Sequence, residues 1–443
     1  VKRWADLGPL VQRLAGRAVP SEHRGNFRHL YLDITWFGLL SGTSVSFITI
    51  YLARIGATGF QIGLMSAIPA VVALFLALPA AWWLKRQPLD RAVYRSSVYF
   101  RFFYALWIPL PLILRPVSQT WGLLSLTLLM SIPGTALAVG FNVLFAEVVP
   151  TEWRGYVVGV RNSLLALTTI GGLLLSGALL TRLPFPIGYQ VVFAIGLVGA
   201  TMSSYHLRQL QLPALGEPRP SSGRSIGDFA EPGIVRPAGD SVRSGTGLRF
   251  LTRVRDLRPP QLAILQGAFG RVWLAFFVFH LALYLAIPVF PLYWVGEIHL
   301  PDSIISLGNA FFYVSVFVGS TQIPRLLQRL GNHRATALGA AAMSLYPALT
   351  SITHTAGMYL AVNVVSGLAW CLTGAAMGNY ILDRIPEDDR PSHLAWVNLA
   401  INAAILIGSV VGPLAADSVG LSAALALFAV ARLLAALAVW RWS

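Results

Sequence analysis

Ala146-Glu147-Val148-Val149-Pro150-Thr151-Glu152-Trp153-Arg154 leads into an apolar run that holds Asn162 and Gly172. The arrangement returns as Leu382-Asp383-Arg384-Ile385-Pro386-Glu387-Asp388-Asp389-Arg390, again before an apolar run, now holding Asn398 and Gly408. Pro150, Arg154, Asn162 and Gly172 each recur 236 residues later. A second echo sets Leu84, Arg86, Arg91 and Ala92 against Leu327, Arg329, Arg334 and Ala335, at an offset of 243. Duplication over half of so apolar a chain points to two similar membrane bundles facing each other. Such paired bundles can expose a shared site to either side in turn.

Composition supports the membrane reading. Of 443 residues, 56% are hydrophobic and 12% charged, where soluble domains carry roughly a quarter charged. The mean hydropathy is +0.65. Apolar stretches long enough to cross a core of about 30 Å as helices predict spans at 30–53, 60–84, 94–114, 121–145, 155–181 and 188–206. The second half predicts 273–295, 304–324, 336–353, 357–381, 393–415 and 421–440. The expected fold is all-α, about twelve transmembrane helices in two pseudo-symmetric six-helix bundles. Continuous rather than alternating apolar runs argue against a β-barrel.

The net charge of +15 would suggest nucleic acid in a soluble protein, but its distribution excludes that here. Basic residues gather in every second connection: Lys2 to Arg28, then Lys85 to Arg95, Arg208 to Arg258, and Arg325 to Arg334. The alternate connections carry only Arg54, Arg115 and Arg182. The positive-inside rule therefore predicts both termini and the middle segment in the cytoplasm, in a cytoplasmic (inner) membrane.

The expected organisation is an amphipathic cytoplasmic segment at 1–29, a bundle at 30–210, a Pro/Gly/Ser/Arg-rich flexible linker at 211–260 and a second bundle at 261–443. One cysteine, Cys371, rules out an intramolecular disulfide and reads as an inert core residue. No phosphate-cradling Gly-Lys-Ser/Thr loop and no metal-ligand spacing is present, so no cofactor is expected and ATP-driven pumping or enzyme chemistry finds no support.

Val149-Pro150-Thr151-Glu152-Trp153-Arg154-Gly155, with Gly159 and Asn162 beyond it, resembles the connection between helices four and five of the major facilitator superfamily. Ile55-Gly56-Ala57-Thr58-Gly59-Phe60-Gln61-Ile62-Gly63 resembles that family's first external turn and the opening of its second helix. At the level of topology the resemblance covers the whole chain. Two departures leave the branch open. Leu84-Lys85-Arg86-Gln87-Pro88-Leu89-Asp90-Arg91 keeps an Asp-Arg pair without the family's preceding Gly and following basic pair. Gly171-Gly172 and Gly177 lack the Pro typical of drug/proton antiporters, while Gly412-Pro413 falls in helix eleven.

The resemblance implies that helices 1, 4, 7 and 10 line a central cavity and that helices 2, 5, 8 and 11 form the seam. Substrate-binding candidates are Trp36, Ser41, Ser131, Thr135, His280, Tyr284, Asn363 and Trp370, together with Arg161, Asn162 and its repeat partner Asn398. Arg161 reads either as an anchor for an anionic group or as an arginine that snorkels or pairs with Glu147. His280 reads as a proton relay or as an interhelical hydrogen-bonding histidine. Asp33 and Arg101 read as interfacial or structural, with Asp33 a proton-coupling candidate, and Arg432 as snorkelling. The gating candidates are Arg86, Asp90, Arg91, Glu147, Glu152, Arg154, Arg329, Arg334, Asp383, Asp388, Asp389 and Arg390. Family geometry would pair Arg86 or Arg91 with Asp388 or Asp389, and Arg329 or Arg334 with Glu147 or Glu152. The expected activity is secondary active or facilitative transport of a small organic solute, export included, by a monomer in a lipid bilayer, with protons as a candidate coupling ion. The alternative is a non-transporting assembly or carrier subunit on the same fold.

Overall fold

The computed structural model describes residues 20–212, 262–385 and 390–441. The expected amphipathic segment before residue 20, most of the linker, and Asp388 and Asp389 lie outside the described residues, as does the side chain of Arg390.

Everything regular among the described residues is helical. The first half comprises α1 (Ser21–Leu40), a π-turn at Ser41–Val45, α2 (Ser46–Arg54), α3 (Gly59–Leu84), α4 (Leu89–Trp107), α5 (Leu110–Ile113), α6 (Pro116–Val148), α7 (Thr151–Arg182) and α8 (Ile187–Arg208). The second half comprises α9 (Ala268–Ala286), α10 (Val289–Leu292), a π-turn at Tyr293–Glu297, α11 (Asp302–Ser320), α12 (Ile323–Ala342), α13 (Leu345–Ser351), α14 (Ala356–Asp383), α15 (Arg390–Val419) and α16 (Leu421–Arg441). Eleven of the described helical spans are long and apolar enough to cross a membrane. The stretch expected at 336–353 is the exception. It is broken between α12 and α13, ahead of Pro347, and crosses in two pieces packed on α14 and α16. Chain ends follow ordinary helix chemistry: Thr58 and Gln61 form a reciprocal capping box at the start of α3.

Within each half the helices pack on one another, and the halves meet along two matching lines, α3 against α15 and α7 against α11. The repeat is visible in that packing. Gly172 of α7 lies against Gly42 of the first crossing, where an added Cβ would stand 3.2 Å from the Gly42 Cα, and its partner Gly408 lies against Tyr284 and Leu281 of α9. Across the seam, Gly63 meets the Ser409 carbonyl, while the equivalent residues Ser306 and Leu173 share a 2.5 Å hydrogen bond. Without a hydrophobic drive between helices in lipid, such small-residue contacts let backbones approach and hold them together.

We call the end where α1 begins the near face and the opposite end the far face. One apolar core runs through the first half and takes in far-face residues of the second, including Phe290, Trp294, Ile305 and Phe428. Near-face residues of the second half, Phe269, Phe276, Tyr380 and Trp396, form a core of their own.

Arg432 corrects the sequence reading. It does not snorkel but is 1% exposed, and it donates to the carbonyls of Ala282 (3.3 Å), Leu283 (3.0 Å) and Met343 (3.1 Å). Pro347 lacks the N–H that would have met Met343 O, and Ala282 and Leu283 lie just ahead of the break at Pro288. A carbonyl left bare in the interior costs about 1–3 kcal/mol. The arginine therefore supplies a donor to the carbonyl that Pro347 leaves bare, and binds two further carbonyls near the end of α9.

Candidate functional site

The first helix of each half is irregular at the same height. A π-turn at Ser41–Val45 interrupts the first crossing, and in the repeat register the break at Ile287–Pro288 interrupts the seventh. π-turns concentrate at functional positions, and discontinuous helices mark midplane sites in transporter folds. The first break is pinned by neighbours: Ser176 donates to Gly42 O (3.3 Å), Thr169 to Gly38 O (3.3 Å) and Ser44 to Phe193 O (3.4 Å).

Below this break, towards the near face, lies a buried group of charges. Asp33 on α1 is 4% exposed, Arg101 on α4 5% and Arg161 on α7 8%. Asp33 Oδ2 stands 3.6 Å from Arg161 Nη2, and Oδ1 stands 4.0 Å from Arg101 Nη2. The Ser203 hydroxyl of α8 donates to Asp33 Oδ1. Arg101 in turn donates to Ser97 (2.7 Å) and Ser204 (2.9 Å). Arg161 lies over the Phe141 ring at 4.7 Å and near Phe145 at 5.7 Å, a cation–π setting. Asp33 and Arg101 are thus not interfacial. Helix α1 starts at Ser21, which places Asp33 about 18 Å along it at 1.5 Å per residue.

At the far face an ion pair joins the halves. Arg54, ending α2, donates to Asp302, opening α11, through Nε (3.1 Å) and Nη2 (2.9 Å), and also to Leu300 O. Tyr189 at the start of α8 donates to the other Asp302 oxygen at 2.8 Å. The Tyr189 ring belongs to an aromatic group with Tyr51, Phe185 and Phe193. Side-chain exposures of 24% for Arg54 and 14% for Asp302 place the pair at a rim rather than in open solvent.

The remaining expected residues separate clearly. Ser131 and Thr135 are buried and donate to their own helix, at Thr127 O (2.6 Å) and Ser131 O (2.9 Å). Ser131 also lines a small, mainly apolar hollow with Val45, Met65, Phe100 and Trp107. Asn363 is 1% exposed and donates to Tyr359 O at 2.9 Å. Ser41 and Tyr284 are buried, and Trp36, Asn162, Trp370 and Asn398 half-buried. His280 is half-buried, with Nδ1 2.9 Å from Phe276 O; a carbonyl only accepts, so that nitrogen carries the proton. Of the candidates, only Arg161 joins the charged group.

Among the gating residues, Arg86 stacks on Trp82 at 3.3 Å, and Arg91, Glu152, Arg329, Arg334 and Asp383 are exposed at the near face. Asp90 and Glu147 are half-buried. Asp383 accepts from Asn332 at 2.7 Å within its own half. Arg154 is buried and donates to Val149 O (2.9 Å) and Ala146 O (2.6 Å), satisfying carbonyls that the end of α6 leaves orphaned. The sequence reading missed Asp302 and Tyr189. Its available signal was an isolated Arg54 in an otherwise bare connection, with Glu297 and Asp302 in another on the same side.

Residues 272–443 match the model of the Major Facilitator Superfamily. No curated protein matches the chain by sequence. Among solved structures, an inward-facing bacterial homologue of the iron transporter ferroportin is 16% identical, with 96% of this chain and 99% of that one covered at a TM-score of 0.68. The partially occluded, inward-open xylose transporter XylE from E. coli is 12% identical, covering 94% and 97% at 0.65. The nucleoside transporter NupG is 13% identical, covering 95% and 99% at 0.64. At these identities the likeness is one of fold, and it extends over both halves.

Proposed function

We propose that this chain, a solute transporter of the major facilitator superfamily that works by alternating access, carries a small organic solute and is here closed at its external face and open to the cytoplasm. The near face bears Arg86, Arg91, Arg329 and Arg334, which favours the cytoplasmic side. The observation that carries the reading is the Arg54–Asp302–Tyr189 contact. It is an ionic bridge between halves at the far end, where the halves also share a core. Breaking it and separating Gly63 from Ser409 would open the far face. The arginines and carboxylates of the near face would then close the cytoplasmic side.

Half-buried Trp36, Asn162, Trp370 and Asn398 suit a solute with an apolar body and few polar contacts. The cargo of the structural neighbours does not transfer with the fold. Among the described residues no group of three or more His, Cys, Asp and Glu could hold a metal ion, which weighs against carrying over the iron named for one neighbour's relative.

The sole cysteine, Cys371, is buried, so cysteines introduced at exposed positions can be labelled selectively. Spin labels at Arg182 and Glu297 report the far face, and labels at Arg91 and Arg329 the near face. In liposomes each pair should give two distance populations, and the far pair should lengthen as the near pair shortens. A single fixed distance at both faces, with no flux across a broad panel of organic solutes, would favour the non-transporting subunit.

A further inference from the structure

The charged group inside the first half is built in a way that a purely structural ion pair is not. Charge-assisted hydrogen bonds close to about 2.7–2.9 Å, yet Asp33 stands 3.6 Å from Arg161 and 4.0 Å from Arg101. Its close contact comes instead from the Ser203 hydroxyl. Arg101 is held by Ser97 and Ser204 on the helices away from the seam. Arg161 sits on the seam helix α7, with its guanidinium over Phe141 and Phe145. Asp33 is therefore anchored on Ser203, within ion-pair reach of both Arg161 and Arg101.

The surroundings of Arg161 are those of a binding wall. Phe141, Phe145, Asn162 and Tyr31 are all half-buried. The Tyr31 hydroxyl lies within electrostatic reach of Arg161, is itself buried, and has no hydrogen-bond partner. An unmade buried donor beside a permanent cation calls for an acceptor carrying negative charge. A cationic group arriving here would meet two guanidiniums.

We propose that the transported solute carries an anionic group, a carboxylate, sulfonate or phosphate ester, that docks on the Arg161 guanidinium and the Tyr31 hydroxyl by taking the place of Asp33. The apolar body of the solute lies against Phe141 and Phe145. Asp33 retreats onto Ser203 and Arg101. This assignment rests on the transport reading above, from which it takes the cytoplasmic opening.

The test uses the full chain purified in detergent, with benzoate, benzenesulfonate and phenyl phosphate as probes and benzamide and benzyl alcohol as neutral counterparts. Saturable stabilisation against heat by at least one of the three anions, and by neither neutral probe, is the expected result. Arg161→Gln should abolish the effect and Arg161→Lys retain part of it. Asp33→Asn, by removing the internal competitor, should tighten anion binding about tenfold. Ser203→Ala should weaken it about threefold, because Asp33 released from that hydroxyl closes on Arg161; this variant keeps the proposal testable if Asp33→Asn does not fold. Neutral probes binding as well as anions, or anion binding that persists in Arg161→Gln, would overturn the proposal. So would weaker binding in Asp33→Asn. Anion binding without flux in liposomes would sink the transport reading and leave the site; flux of neutral solutes without anion binding would do the reverse.

Discussion

The two ends of the seam are made from duplicated helices and yet behave differently. At the far end the halves share one core, an arginine–aspartate–tyrosine contact crosses between them, and backbones touch at Gly63 and Ser409. At the near end the second half keeps its own core and the arginines that echo across the repeat, Arg86, Arg91, Arg329 and Arg334, are exposed. The helix contacts obey the repeat, because Gly63–Ser409 and Ser306–Leu173 occupy equivalent places. The ionic bridge does not: in the 243-residue register Arg54 corresponds to Glu297 and Asp302 to Gly59. The repeat thus accounts for the matching helix contacts of the seam, and the unrepeated Arg54 and Asp302 account for the difference between its two ends.

The sharpest way to break this comparison is steric. A Cβ on Gly63 would collide with the Ser409 carbonyl oxygen, and backbone cannot yield as a side chain can. Gly63→Leu should therefore cost the far-closed state about 3 kcal/mol or more. The expected outcome is a protein held open at the far face, with the Arg182–Glu297 label distance lengthened and transport lost. Unchanged distances would mean that this contact does not control closure.

Next in size is the bridge itself. Asp302→Asn removes the charge that Arg54 and Tyr189 both address, at a site less than a quarter exposed. A loss of about 1.5 kcal/mol from the far-closed state should shift its population roughly tenfold towards far-open. Tyr189→Phe should shift it by less, since one hydrogen bond is lost and the ion pair remains. Equal effects would mean that charge contributes nothing there.

A smaller effect separates two serines, one on each line of the seam. Ser306 donates to Leu173 O across the seam at 2.5 Å, whereas the buried Ser409 hydroxyl has no hydrogen-bond partner. Ser306→Ala should weaken far-face closure by about 1 kcal/mol, and Ser409→Ala should leave the distances unchanged. Matching shifts from both would show that volume, not the hydrogen bond, holds this line.

Sequence reading reached the fold because its signals were long: apolar runs, charge asymmetry and a repeat that survives as packing at Gly172 and Gly408. It misjudged single charges, because depth depends on where a helix starts and on what three other helices bring to the same place. Asp33 looked interfacial when its helix was begun at residue 30; begun at Ser21, the helix carries it into the interior beside Arg101 and Arg161. Arg432 looked like a lipid-facing arginine because the carbonyls it serves belong to two other, broken helices. Arg154 carried a visible signal, a basic residue just beyond a helix end, which the gating interpretation obscured.

The smallest expected effect lies at the near face and tests whether the echoing charges form a latch at all. Exposed ion pairs contribute about 0–1 kcal/mol each, so Glu147→Lys should change the balance between states by no more than about fivefold, in favour of the near-open form. The sign matters more than the size. Reversing Glu147 would turn its attraction for Arg329 and Arg334 across a closed near face into repulsion. Label distances between Arg91 and Arg329 should therefore lengthen on average while the far-face distances shorten. A shift in the opposite sense would place Glu147 among the groups that hold the near face open, and the latch would then have to be sought elsewhere among the charges of that face.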